Sequence, residues 1–122
     1  MSERADELRQ DARFRALRLI EANPHITQRE LADALGISLG ATHYMLRAFV
    51  GRGLVKAGRF ASATNKSAYM YLLTARGFSE KSALAGRFLA RKRAEYEALK
   101  LEIEELGAEL GDDRHMGGRT GN

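Results

Sequence analysis

The side chains in this sequence that could do chemistry are mostly cations, and acids are missing from its middle. No Asp or Glu occurs at positions 34–79, whereas basic residues continue through that stretch. They are Arg47, Arg52, Lys56, Arg59, Lys66 and Arg76. A surface that approaches a polyanion is expected to exclude carboxylates, because each of them would repel a phosphate group. The pattern favours a nucleic-acid-binding surface over the alternative, a small buried region with few charges of either sign.

Residues that could support catalysis or bind a metal are few and far apart. The three histidines, His25, His43 and His115, fall on different predicted elements, and the chain has no cysteine. Zinc sites combine several closely spaced Cys and His residues, so the sequence predicts no metal site. A Gly-rich phosphate loop and a Gly-x-Ser-x-Gly motif are also absent. We therefore expect a protein that is not an enzyme and uses no cofactor.

Length and composition narrow the class of protein further. The chain has 122 residues, with 20 Lys and Arg against 16 Asp and Glu, which gives a formal net charge of +4. This size fits one domain with an added arm. No apolar run approaches the roughly 20 residues of a membrane span, and the charged first ten residues do not resemble a signal peptide. We expect a cytoplasmic protein without membrane contact.

Two helices are predicted ahead of the acid-free stretch. The first covers Glu3–Ala22 and ends before Pro24, because proline disfavours a helical conformation at the preceding residue. The second starts after Thr27, whose spacing to Glu30 is that of a capping box. It ends at Gly36, where a glycine permits a left-handed turn.

A third helix and a hairpin complete this part of the chain. Ser38 is the expected N-cap of the third helix, which runs to about Gly51 with Leu46 and Phe49 facing inward. Extended segments at 54–60 and 67–74 predict a β-hairpin around a small polar tip. Both faces of the second strand are apolar, so alternation leaves open which face is buried.

Helix, turn, helix and hairpin in this order are typical of a winged helix-turn-helix. The predicted fold is mainly α with a small β-hairpin wing, followed by a long C-terminal dimerisation helix. In this fold the second helix of the pair enters the major groove, and the wing reaches an adjacent groove or the backbone. The residues expected to contact bases lie near the start of the third helix, away from its apolar stripe: Gly40, Ala41, His43, Tyr44 and Arg47.

Other polar and basic residues are expected to contact phosphates, either from helix N-termini or from the hairpin. They are Thr27, Gln28, Arg29, Ser38, Arg52, Lys56, Arg59, Asn65 and Lys66. Several have simpler explanations that stay open. His43 could be an ordinary surface histidine, Tyr44 could pack on a rim, and capping alone could explain Thr27. One or two of the cations could be idle surface charges.

A helical pattern resumes at Ala75 and continues to about Leu110. The charged residues at positions 76–93 are all basic except Glu80, whereas those at positions 95–110 are all acidic except Lys100. In the acidic part, apolar residues alternate spacings of three and four, as in a coiled-coil seam. They are Tyr96, Leu99, Ile103, Leu106 and Leu110. We expect them to form a dimer interface; the alternative is a helix that folds back on its own domain.

The heptad positions predict the direction in which the two helices pair, and composition predicts the limits of the domains. With Tyr96 at position a, Glu95 falls at g and Lys100 at e, a pairing that favours parallel strands. Residues 1–74 are predicted to form the winged helix-turn-helix DNA-binding domain and 75–110 the dimerisation helix. Residues 111–122 are glycine-rich and predicted to be a disordered tail.

Three segments of the sequence resemble MarR-family transcriptional regulators, and in particular a short branch associated with exopolysaccharide gene clusters. They read ITQRELADALGISLGATHYMLRAFVGRGLV, YLLTARGF and RFLARKRAEYEALKLEIEEL, and the similarity covers about 14–106. The resemblance implies a sequence-specific regulator that binds double-stranded DNA as a homodimer on a roughly palindromic site. It indicates no particular small-molecule effector.

The sequence departs from the family pattern at two places. Many MarR wings carry Asp-x-Arg, where this chain has Asn65, Lys66 and Ser67. Thr42 also stands where helix-turn-helix proteins usually bury Val or Ile. A different class of function stays open beside the regulator: a winged-helix module that binds proteins and has no DNA ligand. RNA binding is less favoured, because no exposed aromatic platform is evident.

Overall fold

The part of the chain that the structure describes forms four helices and a two-stranded antiparallel hairpin. A computed structural model describes the backbone of residues 3–60 and 68–119, and the side chains of 3–59 and 69–111. The elements are α1 (Glu3–Ala22), α2 (Gln28–Leu35), α3 (Leu39–Gly51), β1 (Val55–Phe60), β2 (Ala68–Leu73) and α4 (Ala75–Arg119). This architecture is a winged helix-turn-helix followed by a long C-terminal helix, which confirms the predicted fold class.

The core of the winged unit is built from the apolar faces of α1, α2 and α3 and from the start of the hairpin. Leu17 and Ile20 of α1, Leu31 of α2 and Phe49 of α3 are almost completely buried. Complete burial of a side chain of this size is worth roughly 1.5–3 kcal/mol, so these few residues hold the helices together. Tyr69 and Tyr71 share one face of β2, where Tyr71 is buried and Tyr69 is half exposed, whereas Met70 and Leu72 on the other face are partly exposed.

The first turn of α4 is joined closely to the chain that enters β1. The Thr74 hydroxyl donates to the carbonyl of Gly53 at 2.6 Å and accepts from the amide of Gly77 at 3.0 Å. The Thr74 amide donates to the carbonyl of Leu54 at 3.0 Å. A Cβ added at Gly77 would lie closer than 3.0 Å to that Leu54 carbonyl oxygen. Position 77 therefore needs glycine, because α4 passes too close to the Leu54 backbone to leave room for a side chain.

Helix α4 spans the boundary between two compact units. The chain divides between Gly86 and Arg87, and the assignment of 1–74 to DNA binding and 75–110 to dimerisation stays a prediction. The first turns of α4 belong to the winged unit because they contribute Gly77 and the buried Leu84 to it. Helix α4 also continues to Arg119, through most of the segment predicted to be disordered. Extending an existing helix adds one hydrogen bond for each residue that is ordered and avoids the cost of a new nucleus, so the glycines of this segment need not end α4. Residues 120–122 lie outside the described part of the chain.

Candidate nucleic-acid interface

The capping box predicted at the start of α2 is present. The Thr27 hydroxyl accepts from the Glu30 amide at 3.0 Å, and the Glu30 carboxylate accepts from the Thr27 amide at 2.9 Å. The Thr27 amide donates to the Glu30 carboxylate and is the larger cause of a lowered pKa for that carboxyl group; the Thr27 hydroxyl lowers the same pKa further. The Thr27 side chain is thus already used by its own helix.

A sharp turn sets the direction of α3. Gly36 has φ 69°, a left-handed conformation that side chains with a Cβ rarely adopt. Its amide and that of Ile37 donate to the Ala32 carbonyl at 2.8 and 3.1 Å. The Ser38 hydroxyl then caps α3 by accepting from the Ala41 amide at 3.0 Å. Local bonds on both sides of the turn therefore hold α3 against α2.

Helix α3 buries one face and presents the opposite one to solvent. Thr42, Leu46 and Phe49 are buried. The Thr42 hydroxyl donates to the Ser38 carbonyl at 2.9 Å, so a polar residue is tolerated at this core position. All the side chains predicted to contact bases are on the exposed face: Gly40, Ala41, His43, Tyr44 and Arg47.

The exposed face of α3 has two flanks. By helical spacing, Gly40, Tyr44 and Arg47 run along its middle, with His43 to one side and Ala41 to the other. His43 and Arg47 border a depression towards the hairpin, whereas Ala41 and Tyr44 border a groove towards α1. Tyr44 is 78% exposed, although it borders the groove.

The depression between α3 and the hairpin is about 440 Å³ in volume. Gln28 closes one side of it, where its amide group donates to the Tyr71 hydroxyl at 3.3 Å. Tyr69 lies edge-on to Tyr71, with ring centroids 5.5 Å apart, and is half exposed next to His43 and Arg47. The sequence prediction missed Tyr69 as a border of this site. Because alternate residues of a strand share a face, the position of Tyr69 two residues before Tyr71 was the signal that could have placed it there.

The groove between α1 and α3 has a volume of about 490 Å³ and is mostly apolar. Ala41, Tyr44 and Ala48 line it from α3, and Ala12 lines it from α1. The two flanks of the α3 surface thus differ in chemistry: one is polar and aromatic, and the other is apolar.

The cations predicted to contact phosphate do not form one cluster. Arg52 caps the C-terminus of α3, where its guanidinium lies 3.4 Å from the Glu80 carboxylate. In β1, Arg59 pairs with Tyr69 and therefore faces the same side as the depression. Lys56 pairs with Leu72 and faces the other side of the hairpin.

The remaining candidates are distributed as follows. Arg29 is exposed in the first turn of α2, and the Ser38 hydroxyl is engaged as the α3 cap. Asn65 and Lys66, at the predicted wing tip, lie outside the described residues. The expectation that the wing brings a cation to DNA stays a prediction.

The predicted dimer seam is an exposed stripe on the second unit. Its five apolar residues are between 53% and 62% exposed: Tyr96, Leu99, Ile103, Leu106 and Leu110. Leu101 is equally exposed but falls off the stripe.

Two classes of site are not found in the described part of the chain. No group of three or more acidic or histidine side chains within 3–59 and 69–111 is placed to hold a metal ion. Over the same ranges, no helix has both the length and the apolar character needed to cross a bilayer.

The fold and the exposed α3 surface define a winged helix-turn-helix of the DNA-binding class. In agreement with this, residues 9–56 match the family model described as winged helix-turn-helix DNA-binding. No curated protein is similar enough to the chain to count as a match.

Several solved structures share the fold. The transcriptional repressor CouR, bound to a 23-mer DNA duplex, is 28% identical, with a TM-score of 0.56 over 81% of this chain and 70% of its own. MepR, a transcription regulator of the Staphylococcus aureus multidrug efflux pump MepA, is 21% identical, with a TM-score of 0.54 over 83% and 74%. PcaV, a transcriptional regulator from Streptomyces coelicolor, is 16% identical, with a TM-score of 0.56 over 84% and 79%. All three are transcriptional regulators.

Proposed function

We propose that this protein is a sequence-specific transcriptional regulator that acts in the cytoplasm and binds double-stranded DNA as a homodimer. The observation that carries the proposal is the outward face of α3, which presents Arg47, His43 and Tyr44 and bears no acidic residue. The sequence resemblance adds membership of the MarR family and of its exopolysaccharide-associated branch. The DNA-bound CouR structure supports the use of this fold on a duplex.

Base reading is assigned to the middle of the α3 face. Arg47 suits a forked hydrogen bond to a guanine edge, and His43 and Tyr44 suit single bonds to bases or backbone. Gly40 permits close approach, and the Ala41 methyl suits contact with a thymine methyl. The absence of carboxylates from α3 removes the groups that would repel DNA phosphates.

Phosphate contacts are assigned to the surrounding cations. Arg29 of α2 and Arg59 of β1 are exposed, and Lys66, in the sequence of the predicted wing tip, is assigned the same role. To contact a phosphate, Arg52 must leave the Glu80 carboxylate. A surface ion pair contributes only about 0–1 kcal/mol, so breaking this one costs little free energy.

Dimerisation is assigned to the exposed stripe on α4. A two-fold dimer presents two copies of α3, and such proteins read half-sites that are related by the same symmetry. We therefore propose a roughly palindromic site with half-sites separated by one or more helical turns.

The test selects bound duplexes from a random DNA pool and then measures affinity by fluorescence anisotropy at two salt concentrations. Affinity for the selected site should fall steeply with salt, because phosphate contacts release counterions. Arg47→Ala should weaken binding by about 1–3 kcal/mol and relax specificity at one base pair. Arg4→Ala removes the same charge from an exposed position on α1 and serves as the matched control.

Two results would overturn the regulator hypothesis. One is a pool with no enriched sequence together with binding indifferent to salt. The other is an equal effect of the Arg47 and Arg4 substitutions.

The apolar groove beside α3 favours one alternative function, a protein-interaction module without a DNA ligand. Charge reversal of Arg47 and Lys66 separates the two functions. Loss of DNA retention supports the regulator, whereas partner capture that persists unchanged without DNA supports the interaction module.

A further inference from the structure

We propose that residues 96–110 of α4 pair with the same segment of a second copy as a parallel, in-register coiled coil. In this arrangement Glu95 of each chain faces Lys100 of the other. The inference rests on the proposed homodimer and goes beyond it by assigning the direction of pairing and the ion pairs that select it.

The occupant of the stripe is inferred from its spacing. Tyr96, Leu99, Ile103, Leu106 and Leu110 alternate steps of three and four and are all more than half exposed. This is the a and d pattern of a two-stranded coil, in which each side chain packs between residues of an equivalent helix. A stripe that repeats in steps of seven is complementary to its own copy, so a second chain is the occupant that fits.

The residues beside the stripe distinguish the two possible directions. Numbering Tyr96 as a places Glu95, Glu102 and Glu109 at g, and Lys100 and Gly107 at e. In a parallel coil each g residue faces the e residue that lies five positions later on the partner. Glu95 therefore meets Lys100 on both sides of the dimer, and Glu102 meets the uncharged Gly107.

An antiparallel coil brings like charges together at each of the charged g and e positions. In the antiparallel alignment that packs Tyr96 against the partner's Leu106, residues at g face the partner's g positions, and residues at e face its e positions. Glu102 then faces its own copy, Glu95 faces Glu109, and Lys100 faces its own copy. Each of these three kinds of contact is repulsive in this direction, whereas the parallel direction has two attractive contacts and no repulsive one.

The heptad upstream of the stripe has a weak point. Leu89 falls at a and is half exposed, but Lys92 occupies the following d position. The Lys92 ammonium is bonded to the Glu95 carboxylate of its own helix at 3.1 Å, which compensates its charge. A lone charged residue at a core position lowers stability while opposing any shift in register.

Disulfide trapping reads the direction directly, because the chain has no native cysteine. Tyr96→Cys and Leu106→Cys are made separately in the full-length protein, mixed and oxidised mildly. A parallel coil joins each variant only to itself, because the two levels are about 15 Å apart along the helix. An antiparallel coil instead joins the two variants to each other. Mass spectrometry distinguishes the products, and a predominantly mixed disulfide would overturn the parallel assignment.

Charge exchange tests the proposed ion pairs independently. Glu95→Lys should weaken the dimer about three- to tenfold in the parallel coil, because both attractive pairs become repulsive. The double variant Glu95→Lys with Lys100→Glu should recover the part of the loss that comes from the pairs between chains, but not the bond from Lys92 within the helix. In an antiparallel coil the single substitution should strengthen the dimer, since it meets Glu109. Sedimentation equilibrium measures the dissociation constant, and strengthening by the single substitution contradicts the proposal.

A third comparison keeps failure of the direction separate from failure of the homodimer. Leu99→Glu with Ile103→Glu should give monomers, whereas Leu101→Glu, at the outer f position, should leave the dimer intact. Monomers from the seam variant together with mixed disulfides would reject the parallel direction and keep the homodimer. A dimer unaffected by the seam variant would reject both.

Discussion

Replacing Gly77 with alanine tests the close approach of α4 to the start of the hairpin. An added Cβ would lie closer than 3.0 Å to the Leu54 carbonyl oxygen, 3.1 Å from the Leu54 carbonyl carbon and 3.3 Å from Leu73 Cγ. The nearest of these atoms belongs to the backbone and cannot swing aside. Thr74, bonded on both sides of this contact, limits how far helix and hairpin can separate.

The size of the effect follows from two opposing contributions. Alanine is favoured over glycine by up to about 1 kcal/mol within a helix. Overpacking costs about 1–3 kcal/mol, and a clash with backbone belongs at the upper end of that range. The expected net loss is therefore about 2 kcal/mol, or roughly 8–16 °C in Tm for a unit of this size.

Thermal and urea unfolding followed by circular dichroism measure this loss. Protein concentration is held constant, because dimerisation contributes to apparent stability. Gly86→Ala is the matched control, since a Cβ there meets nothing within 4 Å. It should raise stability by up to about 1 kcal/mol. A Gly77 variant as stable as the parent, or stabilised like the Gly86 variant, would refute the close approach.

Two further predictions concern the helix-turn-helix. Thr42→Val should change the free energy of unfolding by less than about 1 kcal/mol, because the Ser38 carbonyl keeps its bond from the residue 42 amide. A larger loss in urea unfolding would show that the hydroxyl bond is essential. Glu30→Gln should destabilise the protein at neutral pH. The depressed pKa of Glu30 stabilises the fold above the unfolded pKa, and this contribution disappears as pH falls through the folded pKa. The deficit should therefore vanish in acid, and one that persists undiminished in urea titrations at low pH would contradict the capping role of the carboxylate.

The sequence by itself determined the elements whose causes are local. The bounds of α1, the capping box of Thr27 and Glu30, the left-handed Gly36 and the Ser38 cap were all predicted and are present. These features depend on bonds between residues at most four positions apart, so residue types and spacing are sufficient to specify them. Helical periodicity likewise placed the candidate base-contacting residues opposite the buried stripe of α3.

The tertiary structure decided the features that depend on packing between distant parts of the chain. Tyr71 rather than Tyr69 is buried, and it bonds to Gln28, which is 43 positions away. The pairing of Arg52 with Glu80 and the close contact at Gly77 likewise join segments far apart in sequence. Local preferences do not specify which element packs against which. Which residue of a strand is buried, the partner of a cation and the limit of a unit are therefore decided only when the core assembles.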